Sequence, residues 1–445
     1  MTQSMEGLLP RLDRLGEAAK RNKSLQFDNL FHHINLALLH KAFSHLNKRA
    51  AKGVDNVGWF EYQVNATTRL ASLHQRLQAG CYKAKPVKRI WIPKADGTLR
   101  PIGVTSIEDK IVQQVVVWLL EPIYEVDFLG FSYGFRPNRN QHQALDAVYM
   151  AVTSKKVSWI LDADLKGFFD TIDHQWMMKF LEHRISDKRV LRLIKNWLTV
   201  GVVDGDVKSK SWVGTPQGAV ISPLLANIFL HYGLDLWLHQ WRKRHARGEV
   251  YVVRYADDFV IGLQYKSDGY QLRQALTKRL AKFSLSLNES KTHMIEFGRF
   301  ASLNRRRRKQ SKPKTFDFLG FTHICSLRRN DGQFKLLRLS IKKRLTAKLK
   351  HIKEVLMKTR HKSPYDVGQW LKRALTGYFN YFAVPGNGQS IRTMRTEVCK
   401  LWIKALRRRS QKGKTFNWKR MKGLVWMYIP HTRNRHPYPN QRFAL

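Results

Sequence analysis

Tyr255-Ala256-Asp257-Asp258 sets two adjacent carboxylates between two runs of strand-forming residues, Val250-Tyr251-Val252-Val253 and Phe259-Val260-Ile261. β-Branched and aromatic runs around a short acidic break read as a β-hairpin with acids at its tip. Successive side chains on an extended strand face opposite ways, so one carboxylate can enter a site while its neighbour turns away or supports it from beside. Asp also favours turns for conformational reasons alone, which leaves catalysis and plain turn-making about equally open on this pair by itself. A second acidic group shifts that balance. Val157-Ser158-Trp159-Ile160-Leu161 reads as a buried strand running into Asp162-Ala163-Asp164-Leu165-Lys166-Gly167-Phe168-Phe169-Asp170. Carboxylates at strand ends far apart in the chain can share a pair of Mg²⁺ ions roughly 3.5–4 Å apart, one serving an attacking hydroxyl and the other a leaving pyrophosphate. That is the chemistry of nucleotidyl transfer.

The rest of the composition fits a polyanionic partner. The 445 residues are enough for a sizeable core in two or three structural units. Lys and Arg number 80 against 33 acids, a formal charge of +47, far beyond what solubility requires. At 43% hydrophobic and 11% aromatic the chain is no disordered tail, so this charge must coat a folded body. Nucleic acid explains it better than a membrane, because no long helical stretch segregates a basic face from an apolar one. Cys81, Cys325 and Cys399 stand alone in sequence, which excludes a disulfide framework and a C-x-x-C zinc module and points to a reducing cytosol. Residues Met1–Lys20 lack the apolar core of a signal peptide, and no run of about 18 apolar residues occurs. The 17 histidines show no H-E-x-x-H spacing and read as ordinary surface or core residues.

The elements that must position the acids follow from periodicity. Phe27, Leu30, Phe31, Ile34, Leu38, Ala42 and Leu46 predict one amphipathic helix, and a second is predicted over 66–78. Lys88-Arg89-Ile90-Trp91-Ile92-Pro93-Lys94, then Asp96-Gly97, then Leu99-Arg100-Pro101 predict a hairpin with basic arms. Residues 108–128 and 174–200 are predicted helical, interleaving helices with the sheet residues. Arg305-Arg306-Arg307-Arg308-Lys309 opens a strongly basic stretch; like charges repel, so it is expected to stay mobile until a phosphate backbone neutralises it, although an exposed loop would show the same composition. Lys/Arg-laced helices follow from about Ser340 to Lys358 and from Trp370 to Phe382, where Tyr378, Phe379, Tyr381 and Phe382 read equally as a core stripe. A basic, Trp-rich tail runs from Trp402 to Leu445.

From about residue 25 onward the chain resembles the bacterial group II intron-encoded reverse transcriptases, or maturases. The resemblance rests on seven blocks in order: RIWIPKADGTLRPIG (89–103), SYGFRP (132–137), DLKGFFDTIDH (164–174), GTPQGAVISPLLAN (214–227), RYADD (254–258), LNESKT (287–292) and FLGF (318–321). It implies an α+β right-hand polymerase with fingers, a ferredoxin-like palm and a helical thumb, plus a basic helical C-terminal region. The expected division is an N-terminal RNA-binding extension over 1–75, fingers and palm over 76–325, thumb (the maturase X domain) over 326–395, and a C-terminal nucleic-acid-binding region over 396–445. The family's aspartates fall on Asp164, Asp257 and Asp258, which would hold two Mg²⁺ ions, with Mn²⁺ as a substitute. Lys94 and Arg100 would clamp the incoming triphosphate. Phe169 would lie against the sugar, where a ring excludes a 2′-hydroxyl, and Gln217 would touch the nascent pair. Lys291 would protonate the departing pyrophosphate, a role needing a lysine near the phosphates with a lowered pKa. FLGF would grip the primer strand, and Arg305–Lys309 would contact nucleic acid.

Two departures stand out: Ala219 occupies a position where many members carry a second glycine, and no Cys- and His-bearing H-N-H endonuclease region follows the thumb. Bottom-strand cleavage is therefore not expected, and priming would come from another free 3′ end. The implied function is an RNA-directed DNA polymerase of a group II intron that copies intron RNA using a primer strand, target DNA and dNTPs, and assists splicing as a maturase. It would work in a bacterial cytoplasm, on the nucleoid when bound to DNA. The alternatives are a splicing-only RNA-binding maturase, against which the intact acidic triad argues, and a reverse transcriptase co-opted for defence, repair or diversity generation. An RNA-dependent RNA polymerase would require ribonucleotides to be used as readily as deoxynucleotides.

Overall fold

A computed structural model describes residues 8–93, 97–205, 207–209 and 213–443. The chain is α+β, and its centre is a four-stranded antiparallel sheet built from β3 (Trp159–Asp164), β6 (Val250–Tyr255), β7 (Asp258–Leu263) and β8 (His293–Glu296), ordered β6-β7-β3-β8. The alternation of these strands is what makes the sheet: Leu161, Ala163, Phe259 and Ile261 enter a large helical core on one face. Ile160, Val253, Val260 and Ile295 enter a second core on the other. β1 (Val87–Pro93) and β2 (Leu99–Val104) form the predicted hairpin, joined in parallel through β1 to β4 (Val202–Asp204), which pairs with β5 (Val207–Ser209). A third sheet, β11-β10-β9 (Phe334–Ser340, Phe321–Leu327, Phe316–Phe318), closes over the second core.

The helices predicted over 66–78 and 108–128 are observed at Ala66–Gln78 and Ile107–Glu125, while the stretch 174–200 divides into His174–Glu182 and Lys188–Thr199. The continuous helix expected from Phe27 to Leu46 is not found. A 3₁₀ turn at Phe31–His33 precedes a separate helix, Leu36–His45. Two local competitors explain the break. The Asp187 carboxylate accepts the amides of Leu30 and Phe31, both at 2.8 Å, and Asn35 caps the later helix by accepting from the Leu38 amide at 2.9 Å. The apolar periodicity nevertheless served the core, for Leu30, Phe31, Ile34, Leu38 and Ala42 are all buried.

Helices Lys342–Lys358, Pro364–Phe382, Gly388–Arg407 and Trp418–Tyr428 enclose a further core around Leu371, Phe379, Met394, Val398, Trp402 and Met421. Of the aromatic stripe, Phe379 is fully buried while Tyr378, Tyr381 and Phe382 are half-buried. The expected unit boundaries cut through elements: 75/76 through the helix 66–78, 325/326 through β10, and 395/396 through the helix 388–407. The N-terminal residues share the core of the central sheet, and the last two expected units share a single helical core. Among the described residues no helix is long and apolar enough to cross a membrane, and the three cysteines are unpaired.

Candidate active site

The acids meet because of strand register. β3 and β7 pair so that Asp164 lies directly opposite Asp258, and Tyr255 opposite Asp258 closes the β6–β7 hairpin with Ala256-Asp257 as its two-residue turn. Asp162 and Asp164 are two residues apart and share one face of β3. Asp162, Asp164 and Asp258 line one cleft of about 480 Å³, together with Lys291, Asp317, Gly320 and Arg344. Residues some 90 positions apart are thus brought to one sheet face, as their strand-end placement predicted.

The turn is held in a strained shape. Ala256 has φ 56°, a left-handed conformation that costs a residue with a Cβ on the order of 1–2 kcal/mol. Arg254, fully buried, fixes it: Nη1 donates to the Ala256 carbonyl at 3.0 Å and to Asn227 Oδ1 at 3.1 Å. Nε donates to Asp235 Oδ1 at 2.7 Å and Nη2 to Ser132 Oγ at 2.7 Å. The segment around Ser132 runs beside β6, with Arg254 donating its amide to Phe131 at 2.9 Å and accepting from Tyr133 at 2.8 Å. Gly134 packs against the turn so closely that a Cβ there would fall 2.4 Å from the Ala256 nitrogen, and its carbonyl accepts from Asn227 Nδ2 at 2.7 Å. Three of the sequence blocks, SYGFRP, GTPQGAVISPLLAN and RYADD, therefore interlock around one guanidinium.

Electrostatics at the cleft favour a cation. The Asp258 side chain still meets solvent, yet the crowding cleft walls strip enough water from it to raise its pKa to about 7, with Asp257 and Asp164 adding repulsion. Asp162 also rises to about 7, chiefly through burial and then through Asp258, Asp317 and Asp164. Asp257 rises through burial, with Asp164 adding and Arg100 and Lys291 opposing. Asp164 accepts from Lys291 Nζ at 3.0 Å and Asn288 Nδ2 at 3.1 Å, and its carbonyl accepts from the Asn288 amide at 2.8 Å. This bond raises the Lys291 pKa, the reverse of the lowering that its expected role called for; the side chain is held as an ammonium. Hard carboxylate oxygens crowded enough to resist ionisation suit Mg²⁺ or Mn²⁺ by donor chemistry. Among the described residues, no three His, Cys, Asp or Glu side chains are already gathered as a metal-holding group.

The remaining predicted residues divide. Arg100 is exposed on β2 and near enough for its charge to act on Asp257. Lys94 lies outside the described residues. Phe169 and Gln217 line one cavity of about 280 Å³ with Gly103, Gly214 and Thr215, and the Gln217 carbonyl accepts from the Gly103 amide at 2.6 Å. Gly214 and Gly218, at φ 88° and 110°, allow the chain between them to press against β2 and the segment after β3. The basic run opens on a helix, Ala301–Arg307, and Arg305 and Arg308 pair with the nearly buried Glu296, which neutralises part of the repulsion among the like charges. Arg306, Arg307 and Lys309 remain exposed. Arg254, Asn227 and Asn288 were not singled out in sequence, although all three lie inside the quoted blocks, and Asp162 was named in the strand-end acidic group without a role of its own. At FLGF, Leu319 and Gly320 form the turn into β10, and Tyr381 Oη donates to the Leu319 carbonyl at 2.9 Å.

The family described as reverse transcriptase (RNA-dependent DNA polymerase) matches residues 92–323. Protein YkfC of Escherichia coli is 36% identical over 238 residues, covering 47% of this chain and 62% of that protein. The group II intron-encoded protein LtrA of Lactococcus lactis is 32% identical over 250 residues, 55% of this chain and 40% of LtrA. Nuclear intron maturase 2, mitochondrial, of Arabidopsis thaliana is 34% identical over 104 residues, 23% of this chain and 14% of its own. The chain thus spans less than two thirds of these relatives' lengths. With more than half its residues matched to the family and the acids of β3 and the β6–β7 turn facing one another across paired strands, the chain belongs to the reverse transcriptase (RNA-dependent DNA polymerase) family.

Proposed function

We propose that this protein is the RNA-directed DNA polymerase of a group II intron, copying intron RNA from a primer 3′ end and assisting the intron's splicing. The observation that carries the polymerase part is the register of Asp164 against Asp258 with Asp257 in the adjoining turn. In this reading the β3-β6-β7-β8 sheet is the palm, the β1–β2 hairpin belongs to the fingers, and the helices after β11 form the thumb and the basic C-terminal region of a right-hand polymerase. Asp164, Asp257 and Asp258 would hold two Mg²⁺ ions, or Mn²⁺ in their place, and when bound these would supply Lewis acidity for phosphoryl transfer.

The chain's own residues do the rest. Arg100, together with Lys94, neutralises the incoming triphosphate, and Phe169 closes the sugar side of its pocket against a 2′-hydroxyl. Gln217, on a backbone pinned to β2, meets the nascent pair. Lys291 offers the departing pyrophosphate a proton from an ammonium positioned by Asp164, so its release waits on loss of that carboxylate partner. Arg306, Arg307 and Lys309 meet a phosphate backbone.

Support for the maturase part comes from the likeness to LtrA and from the basic surface. Its test is splicing of the intron RNA that flanks the gene, with wild-type protein and with Asp257→Ala/Asp258→Ala. Both proteins should stimulate splicing, because RNA binding does not use the carboxylates. A reverse transcriptase serving defence or repair would stimulate neither, and its gene would lack flanking intron domains.

A further inference from the structure

We infer that the C-terminal helices carry a base-capturing cup for single-stranded nucleic acid, separate from the catalytic cleft. The inference rests on the nucleic-acid-binding part of the function proposed above, but not on polymerisation. Helix Trp418–Tyr428 has two apolar faces. Met421 and Tyr428 are buried in the helical core, so that core is already filled from this element. On another face Trp418, Lys422 and Trp426 recur every four residues, and the two indoles are 49% and 78% exposed. Together with Arg395, Cys399 and His431 they line an open cup of about 720 Å³. Arg395 is tethered at its wall by donating from Nε to the Pro430 carbonyl at 3.3 Å.

Two large aromatic faces left in solvent need an occupant, and the surrounding charge selects it. Between residues 392 and 435 there are 14 Lys and Arg against one acid, Glu397, which is itself paired with Lys400 at 2.8 Å. A second copy of this chain, at +47, would be repelled. A basic protein partner would meet no carboxylate beyond that paired one. A phosphate backbone supplies the matching charge, and an unpaired base supplies the π-face that indoles stack upon. A duplex hides its base faces, so the strand captured is single. The occupant is thus an unpaired nucleotide of a single-stranded segment, stacked on Trp426 or Trp418 with Lys422 and Arg395 at its phosphates.

The test is tryptophan fluorescence titration with a short single-stranded uridine oligonucleotide and with an abasic oligonucleotide of equal phosphate number. Wild type should bind the base-bearing strand more tightly. Trp426→Ala, which removes a side chain outside the core, should weaken that strand roughly 5- to 150-fold and leave the abasic strand unchanged. Trp418→Ala should behave alike, whereas Lys422→Ala should weaken both strands equally. Equal binding of both strands by wild type, or an equal loss of both in Trp426→Ala, would overturn the inference, as would a self-association in sedimentation that Trp426→Ala abolishes. Primer extension reports independently on the polymerase reading: Trp426→Ala should still extend a preannealed primer, and Asp257→Ala/Asp258→Ala should still prefer the base-bearing strand.

Discussion

Replacing Arg254 separates what the buried ion pair does for folding from what it does for the acidic turn. Both side chains of the Arg254–Asp235 pair are completely inaccessible to solvent. Arg254→Leu leaves the Asp235 carboxylate buried without its cation, which should cost about 3–5 kcal/mol of stability. Adding Asp235→Leu removes the stranded charge, so the part of the loss that comes from it should return. The Ala256 carbonyl and Ser132 Oγ nevertheless lose their donor in both variants. With Ala256 held at φ 56°, the turn should then relax and carry Asp257 with it, and a displacement of about 1 Å in a catalytic group can cost on the order of 100-fold in rate. Urea unfolding paired with single-turnover primer extension reads both quantities. The double variant should recover part of the lost stability, the unpaired acceptors keeping its midpoint below wild type, yet extend on the order of 100-fold more slowly. Recovery of extension together with stability would refute the assignment of Arg254 as the positioner of the turn.

Other outcomes follow from the same geometry. Asp258 and Asp162 take up protons near pH 7, well above the ordinary carboxylate range, and a proton on Asp258 excludes a cation; extension should therefore rise with pH through about 7. Raising Mg²⁺ should move that midpoint to lower pH, and a pH profile flat from 6 to 8 would contradict the coupling. Phe169→Ala should open the sugar side of its cavity, increasing ribonucleotide incorporation relative to deoxynucleotide in a direct competition assay while leaving deoxynucleotide use largely intact. Asp146 accepts from Arg338 Nη1 at 2.5 Å and is ion-paired with Arg442, whose Nε lies 2.8 Å from its second carboxylate oxygen. Asp146→Ala should therefore strand the buried Arg338 and cost about 3–5 kcal/mol in urea unfolding.

Strand and helix signals written locally were legible in the sequence. Val250–Val253 and Phe259–Ile261 became β6 and β7, and Ala66–Gln78 became the helix its periodicity described. Acids at strand ends are a local pattern, but Asp164 was set apart from Asp162 and Asp170 only by the family resemblance, and the meeting of Asp164 with Asp258 is a consequence of pairing. What escaped depends on partners distant in sequence. Nothing near Leu30 announces that Asp187 will claim its amide and break the helix. Arg254 was visible only as a letter beside the acidic hairpin, because its importance lies in Asp235, Asn227 and Ser132, brought together by three separate segments. The helical start of the arginine run was not foreseen for a related reason: Glu296, which pairs with Arg305 and Arg308, sits on β8. Lys291 was expected near the pyrophosphate with a lowered pKa; it bonds instead to a carboxylate 127 residues away, which raises it.

The most direct test of the account is primer extension on an RNA template with Mg²⁺ and dNTPs, comparing wild type with Asp257→Ala/Asp258→Ala at matched RNA affinity. Extension by the wild type and none by the variant is the predicted result. Equal extension by the two would contradict the assigned acids. Absence of extension in both, with RNA still tightly bound, would contradict the polymerase claim itself.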